Sequence, residues 1–323
     1  MTPPLLTVAI PTFNGTRHLA EAVRSILAQA HAPFDLLVCD DRSDDGTTDL
    51  IRDLAGDRVR IEINPERLGL AGNWNRCVEL SRTPLVAVFH QDDIMHPGHL
   101  AARLARFAAP DGETLAFVCG AADVIDQDGK PVDPEVVEHG GLGPDDRTYA
   151  AGELPTSLAI SNPLRCSTVT LRAEAHRQAG GFDPALRYVV DWDFWIRLAR
   201  VHPVAWLASP TVSVRWHSGS ETHRFKASTA DLDETRALLE RLAAEDRGTV
   251  PPVARRRLAR AYLNRAYDAS HAGAGALGRR CLAQSLALNP ALTATILADP
   301  RLAVRMLRLV PGLGSGNRDI QAR

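Results

Sequence analysis

The chain is 323 residues long, 45% hydrophobic and 24% charged, with a formal net charge of −2, which suits one large globular domain and a smaller appendage. No uninterrupted apolar stretch of about 18 residues occurs, which argues against a transmembrane helix, and the first apolar run ends at Pro11 without a signal-peptide pattern. The five cysteines are scattered and lack ligand spacing, which excludes a disulfide frame or zinc site and leaves reduced core residues of a cytoplasmic protein.

Residues 5–10 form a short apolar run, stopped by Pro11 and the turn-prone Asn14-Gly15 pair, and read as a buried strand. Leu19, Ala22, Val23, Ile26 and Leu27 then fall at helical spacing over 17–29. A second strand, 34–39, runs straight into Asp40-Asp41. A helix over 47–55, a strand over 59–63 and a helix over 72–81 follow, and the strand 85–89 ends at His90-Gln91-Asp92-Asp93. This alternation predicts an α/β fold, a mostly parallel sheet flanked by helices. Ligands of such sheets bind beyond the carboxyl ends of the strands. Polar clusters at 11–15, 40–46 and 90–93 all fall at such ends.

Further on, the pattern predicts one strand over 115–125 and a long surface excursion over 126–155, rich in Gly, Pro and acids. A strand over 167–171, a helix over 172–179 closed by Gly180-Gly181, a helix over 192–200 and short strands at 205–207 and 212–216 complete this part. From about residue 230 the pattern is wholly helical, so the expected domains are 1–225 and a C-terminal all-helical extension, 226–323. Ala261, Tyr262, Ala266, Ala283 and Asn289-Pro290 loosely match a tetratricopeptide helix pair. Residues 250–323 carry 12 Arg, no Lys and 3 Asp, so the extension is basic and the remainder acidic. Such a charge run is either a solvated helical face or the contact for a polyanion. No nucleic-acid motif accompanies it, so nucleic acid is not an expected partner. The expected contact is peripheral, on anionic membrane, through Arg255, Arg256, Arg257, Arg260, Arg265, Arg301, Arg305 and Arg308.

Asp92 and Asp93, adjacent after a buried strand, repel each other unless a cation or donor neutralises them. Hard oxygen ligands of this kind suit Mn2+ or Mg2+ shared with substrate phosphates, although an isolated Asp-Asp is ordinarily a helix cap or a solvated turn. Asp40-Asp41 is a second acidic pair at a strand end, able to accept from a base N–H or a ribose hydroxyl, or again to cap. Two such pairs on neighbouring strand ends point to one site.

Val8–Gly15 (VAIPTFNG), Val38–Thr47 (VCDDRSDDGT), Asn64–Asn75 (NPERLGLAGNWN), Phe89–Asp93 (FHQDD), Gly180–Pro184 (GGFDP) and Val190–Leu198 (VDWDFWIRL) occur in the order seen in family 2 glycosyltransferases. The chain resembles that family over roughly residues 5–220, and the resemblance implies a GT-A-like fold and use of a nucleotide-sugar donor. It implies that Pro11 and Thr12 border the nucleobase pocket, that Asp41 reads the base with Asp40 supporting it, and that Arg67 and Asn73 lie in the segment closing over the nucleotide. Asp92 would meet the ribose and Asp93 would ligate the divalent metal. His217 matches a position that approaches the metal or diphosphate in some relatives, or is a structural histidine. Asp191 stands where the family places its catalytic base, usually within a Glu-Asp pair. Here Val190 replaces the Glu.

Transfer of a sugar needs stabilisation of the departing nucleoside diphosphate and a base for the acceptor hydroxyl. One carboxylate base and no second nucleophile candidate favour inversion. The resemblance alone implies the setting, a glycan or lipid-linked hydroxyl acceptor in cell-surface glycan synthesis. Asp193 reads as a helix cap, and Trp192 and Trp195 as core residues before sugar platforms. A nucleotidyltransferase would carry a Gly-rich, basic phosphate loop where this chain has PTFNGTRH. The alternative of a different class is a degenerate GT-A fold that binds a carbohydrate or partner without catalysis.

Overall fold

The strand β1 (Leu6–Thr12) is buried at six of its seven positions, as a near-continuous apolar run must be when helices cover both faces of a sheet. The computed structural model to which it belongs describes residues 4–29, 32–132, 141–217, 219–220 and 225–309. Helix α1 (Thr16–Leu27) lays the stripe Leu19, Ala22, Val23 and Ile26 into the core. There follow β2 (Phe34–Asp40), α2 (Thr47–Ala55), β3 (Val59–Ile63), α3 (Gly69–Leu80), β4 (Leu85–Val88), the two-residue β5 (Ile94–Met95) and α4 (His99–Ala108). After them come β6 (Phe117–Gly120), β7 (Asp123–Ile125), β8 (Arg147–Tyr149), α5 (Leu154–Leu158), β9 (Thr170–Arg172), α6 (Ala173–Gln178), α7 (Val190–Val201), β10 (Val204–Leu207) and β11 (Val212–Arg215).

The main sheet has the order β3-β2-β1-β4-β9-β6-β10-β8, and its first four strands are parallel. β9 runs antiparallel between β4 and β6. A second sheet, β5-β11-β7, pairs Ile94 with Ser213 and Ser213 with Asp123. This is the α/β architecture read from the sequence, with β1, β2 and β4 delivering their polar ends to one edge.

Three details differ from the sequence reading. The single strand expected over 115–125 is two, β6 and β7, in different sheets. The break follows Gly120, where a Cβ would stand 2.7 Å from the Arg103 guanidinium and 2.9 Å from the Leu207 carbonyl. Ala121 and Ala122 add no strand preference that would carry the pairing through. Second, the excursion expected over 126–155 returns to the main sheet as β8, antiparallel to β10, and then forms α5. Residues 133–140 of that excursion lie outside the described ones. Third, β5 is too short to show in a hydrophobic pattern.

The chain divides into two compact units, Met1–Ser218 and Gly219–Arg323, where the sequence placed the boundary at 225. The second unit consists of α8 (Ala230–Glu245), α9 (Pro252–His271), α10 (Gly275–Leu288), α11 (Leu292–Ala298) and α12 (Pro300–Leu307), after a short helical turn at Phe225–Ala227. In it α9 and α10 form a close pair: the Ser285 hydroxyl donates to the Ala259 carbonyl at 2.8 Å. All five cysteines are free and buried, and among the described residues no helix is long and apolar enough to cross a membrane.

Candidate active site

At the edge where β1 and β2 end, Thr12 stands opposite Asp40 and donates to it at 2.9 Å. Asp40 also accepts from the Ser43 N–H at 2.8 Å and hydroxyl at 2.6 Å, so it braces the turn after β2. Asp41 accepts from the Leu68 and Gly69 N–H groups at 2.7 and 2.9 Å and from Asn64 at 3.0 Å. It therefore caps the start of α3, supplying the acceptor that these otherwise unpaired amides need. Asn73 is buried and ties Asn64 to the Cys39 carbonyl. Arg67, more than half exposed, sets its guanidinium 3.6 Å above the Phe13 ring and 4.0 Å from Asp41. Pro11, Thr12, Asp40, Asp41, Arg67 and Asn73 thus come together at one strand edge. Asp40 and Asn73 spend their hydrogen-bonding capacity inside the protein.

The second cluster forms where β4 ends. Asp93 is buried; Ser167 donates its hydroxyl to it at 2.5 Å and Arg215 its backbone N–H at 2.9 Å. Asp92 is more exposed and shares a 2.9 Å hydrogen bond with His217 Nε2. The β5–β11 pairing produces this meeting: matching Ile94 with Ser213 sets residues 92–93 beside 214–215. His217 accordingly reaches Asp92. The Arg215 side chain is enclosed and clamps the turn, donating to the Asp92, Asp126 and Gln127 carbonyls and to Glu21. Arg215→Leu is expected to lower unfolding free energy by about 2–4 kcal/mol, since a buried acceptor left unmet costs about 1–3 kcal/mol. Urea denaturation reads the change, and an unaltered midpoint would mean the clamp is replaceable by water.

Electrostatics divide the acidic pair. Burial, compounded by the charge of Asp92, pushes the Asp93 carboxyl up to about 8. Burial works on Asp92 in the same direction, but the His217 hydrogen bond and the His90 charge outweigh it and hold Asp92 below the ordinary carboxylate range. Two carboxylates that cannot both ionise cheaply are what a divalent cation relieves. His90, Asp92 and Asp93 offer ligand atoms within 4.8 Å of one another, a donor set that fits Mn2+ or Mg2+ through its two carboxylates.

Asp191 lies in the first turn of α7 and accepts from the Trp192 N–H at 2.7 Å. Burial pushes its carboxyl above the ordinary range, against the lowering influence of that amide, Arg165, His90 and Asn162. Arg165 feels the charge of both Asp191 and Asp93, and His90 that of both Asp191 and Asp92, so the expected base lies within electrostatic reach of the acidic pair. Val190, where the family's Glu was expected, is buried. Asp193 is buried and pairs with Arg197 at 2.8 Å. Arg197 in turn donates to the Ala179 and Gly181 carbonyls, fastening α7 to the glycine turn, where Gly180 and Gly181 both adopt positive φ. Trp192 and Trp195 are core residues.

Several residues of the site were not singled out from the sequence. Ser167 and Arg215 hold Asp93 across more than 70 residues of chain, so no local signal marks them. His90, by contrast, reads from the sequence as a pocket-wall residue beside the acidic pair, and it stacks on Trp74 at 5.2 Å. His18, on α1, lies 5.2 Å from the His217 ring. A histidine in the first turns of a helix beside a glycine turn was the available hint for it.

Residues 7–138 match the family described as "Glycosyl transferase family 2". A protein of Mycobacterium tuberculosis, itself uncharacterized, is 29% identical over 246 residues, 73% of this chain and 75% of that one. An uncharacterized glycosyltransferase of Rickettsia typhi is 24% identical over 237 residues, 73% of this chain and 70% of that one. Among solved structures, S. aureus TarS 1-349 in complex with UDP-GlcNAc superposes with a TM-score of 0.56 at 14% identity, covering 95% of this chain and 81% of that one. The mannosyltransferase PcManGT from Pyrobaculum calidifontis, in complex with GDP-Man and Mn2+, gives 0.53 at 16% identity, covering 97% and 83%. At these identities the two structures establish likeness of fold, which is GT-A-like.

Proposed function

We propose that this chain, whose residues 7–138 match glycosyl transferase family 2, moves a sugar from a nucleoside-diphosphate donor to a hydroxyl acceptor with inversion. What supports the reading is the Asp92–His217 hydrogen bond beside buried Asp93, with Asp191 within electrostatic reach of that pair, although these residues come from three separate stretches of sequence. The edge formed by Pro11, Thr12, Asp41 and Arg67 would receive the nucleoside, with Asn73 and Asp40 keeping that edge in shape. Arg67 is free to swing from Phe13 onto the nucleotide, because its guanidinium is exposed. Asp93 and Asp92, with His217 or His90, would hold Mn2+ or Mg2+. When bound, the cation supplies Lewis-acid neutralisation of the diphosphate.

The chain's own residues do the rest. Asp191, raised by burial, would take the acceptor's proton as the new bond to C1 forms, on the face away from the diphosphate. The reading takes Asp191 as a single carboxylate base, which gives direct displacement without a covalent intermediate. The neighbouring Arg165 and Asn162 would keep Asp191 ionised enough to serve. The acceptor would be a glycan or lipid-linked hydroxyl of a cell-surface polymer, reached from the cytoplasm.

A thermal-shift screen of nucleoside diphosphates and nucleotide sugars, with and without Mn2+ or Mg2+, tests the donor reading. One nucleotide is expected to stabilise the protein by several degrees and only with the metal. If none does under any condition, the chain is a degenerate, non-catalytic member of its fold.

A further inference from the structure

The transferase reading leaves the basic helical unit without a role. On α9, Arg256, Arg260, Asn264 and Tyr267 recur at helical spacing along one exposed face. That face meets α12 at a depression of about 360 Å3, lined by Arg260, Leu263, Asn264, Tyr267, Asp299, Arg301 and Leu302. The one acid in the lining, Asp299, accepts from the Arg301 and Leu302 N–H groups at 2.9 and 3.2 Å and so serves the helix start. Arg305 lies 5.9 Å above the Tyr267 ring on the same side. Among the described residues Arg260 and Arg301 make no ion pair, whereas Arg265 and Arg280 are neutralised by Asp231 and Asp233.

Apolar side chains extend this basic patch. Leu297, Val304 and Leu307 are 68%, 52% and 49% exposed, and Tyr267 is 38% exposed. Scattered single exposures are ordinary on any protein, but the three aliphatic ones fall on two short consecutive helices beside the arginines. On α12 the helical period places Val304 and Leu307 next to Arg301 and Arg308 on one outward arc. Arginines flanking an exposed apolar stripe make a surface that lies in a lipid interface, and they favour anionic over zwitterionic headgroups. A nucleic-acid groove would be lined by cations and stacking rings without the aliphatic stripe.

We propose that the α9–α12 face docks on an anionic phospholipid bilayer, with a lipid phosphate entering the depression between Arg260 and Arg301 and with Leu297, Val304 and Leu307 reaching the acyl boundary. Docking of this kind does not depend on the transferase chemistry and is read without any donor. The full chain should co-sediment with vesicles of phosphatidylcholine containing phosphatidylglycerol and stay in the supernatant with phosphatidylcholine alone. The pair Arg260→Glu and Arg301→Glu, and separately the pair Leu297→Ser and Val304→Ser, should each lower that binding about tenfold or more, with unchanged circular dichroism melts. Equal binding to both vesicle types, undiminished binding by both double variants, or tighter capture by single-stranded RNA than by the anionic vesicles would each overturn the proposal.

Discussion

Asp191→Asn is expected to leave nucleotide-sugar binding intact while lowering kcat by about a hundredfold or more, the usual contribution of a positioned general base. The amide keeps the shape of the carboxylate and its acceptance of the Trp192 N–H, so α7 should stay folded. Binding by calorimetry and turnover by release of nucleoside diphosphate separate the two effects, and near-normal turnover would move the base elsewhere. A pH dependence accompanies it. Burial raises the Asp191 carboxyl, and only the ionised form accepts a proton, so activity should fall as pH drops through that raised value. The acid limb should therefore lie above that of an ordinary carboxylate, and it should vanish from the residual activity of the variant.

Asp93→Asn should abolish the metal-dependent part of donor binding. The variant keeps an acceptor for the Arg215 N–H and the volume of the side chain, but it removes the charge that a cation needs. Nucleotide affinity measured with Mn2+ and with a chelator should become equal. An undiminished Mn2+ effect would assign the cation to Asp92, His217 and His90 alone, a possibility left open by the 2.9 Å contact between Asp92 and His217.

The donor half of the fold was legible because its signals are local. Apolar runs of four to seven residues end in polar clusters, acidic after β2 and β4, and β1, β2 and β4 deliver those ends to one edge as a parallel sheet requires. Asp40 and Asp41 were visible as an acidic pair, but their partners were not. Asp41 is met by backbone N–H groups of Leu68 and Gly69, and a backbone amide carries no sequence signature. The β5–β11 sheet was unreadable for a related reason: two residues of strand have no period, and the pairing joins positions over 110 apart. Ser167 and Arg215 were therefore hidden although they touch Asp93 directly. The 115–125 run misled because hydrophobicity continues through a change of sheet, and only the crowding at Gly120 reveals the break.

The antiparallel strand β9, set between β4 and β6, has a consequence for how the molecule assembles. The parallel strands β1 to β4 can associate while the chain is still being made, since the most distant of their paired residues, such as Leu6 and Leu85, are 79 positions apart. Asp93 acquires its hydroxyl partner only when Ser167 arrives and its amide partner only when Arg215 does. The Arg215 contact, 122 residues along the chain, closes the longer loop and comes last. A ribosome-bound chain halted before residue 212 would thus present a formed nucleoside edge beside an acidic pair with no Arg215 to clamp it. The maturation of catalytic competence during synthesis should then track the emergence of β11, well after the sheet that carries the donor edge.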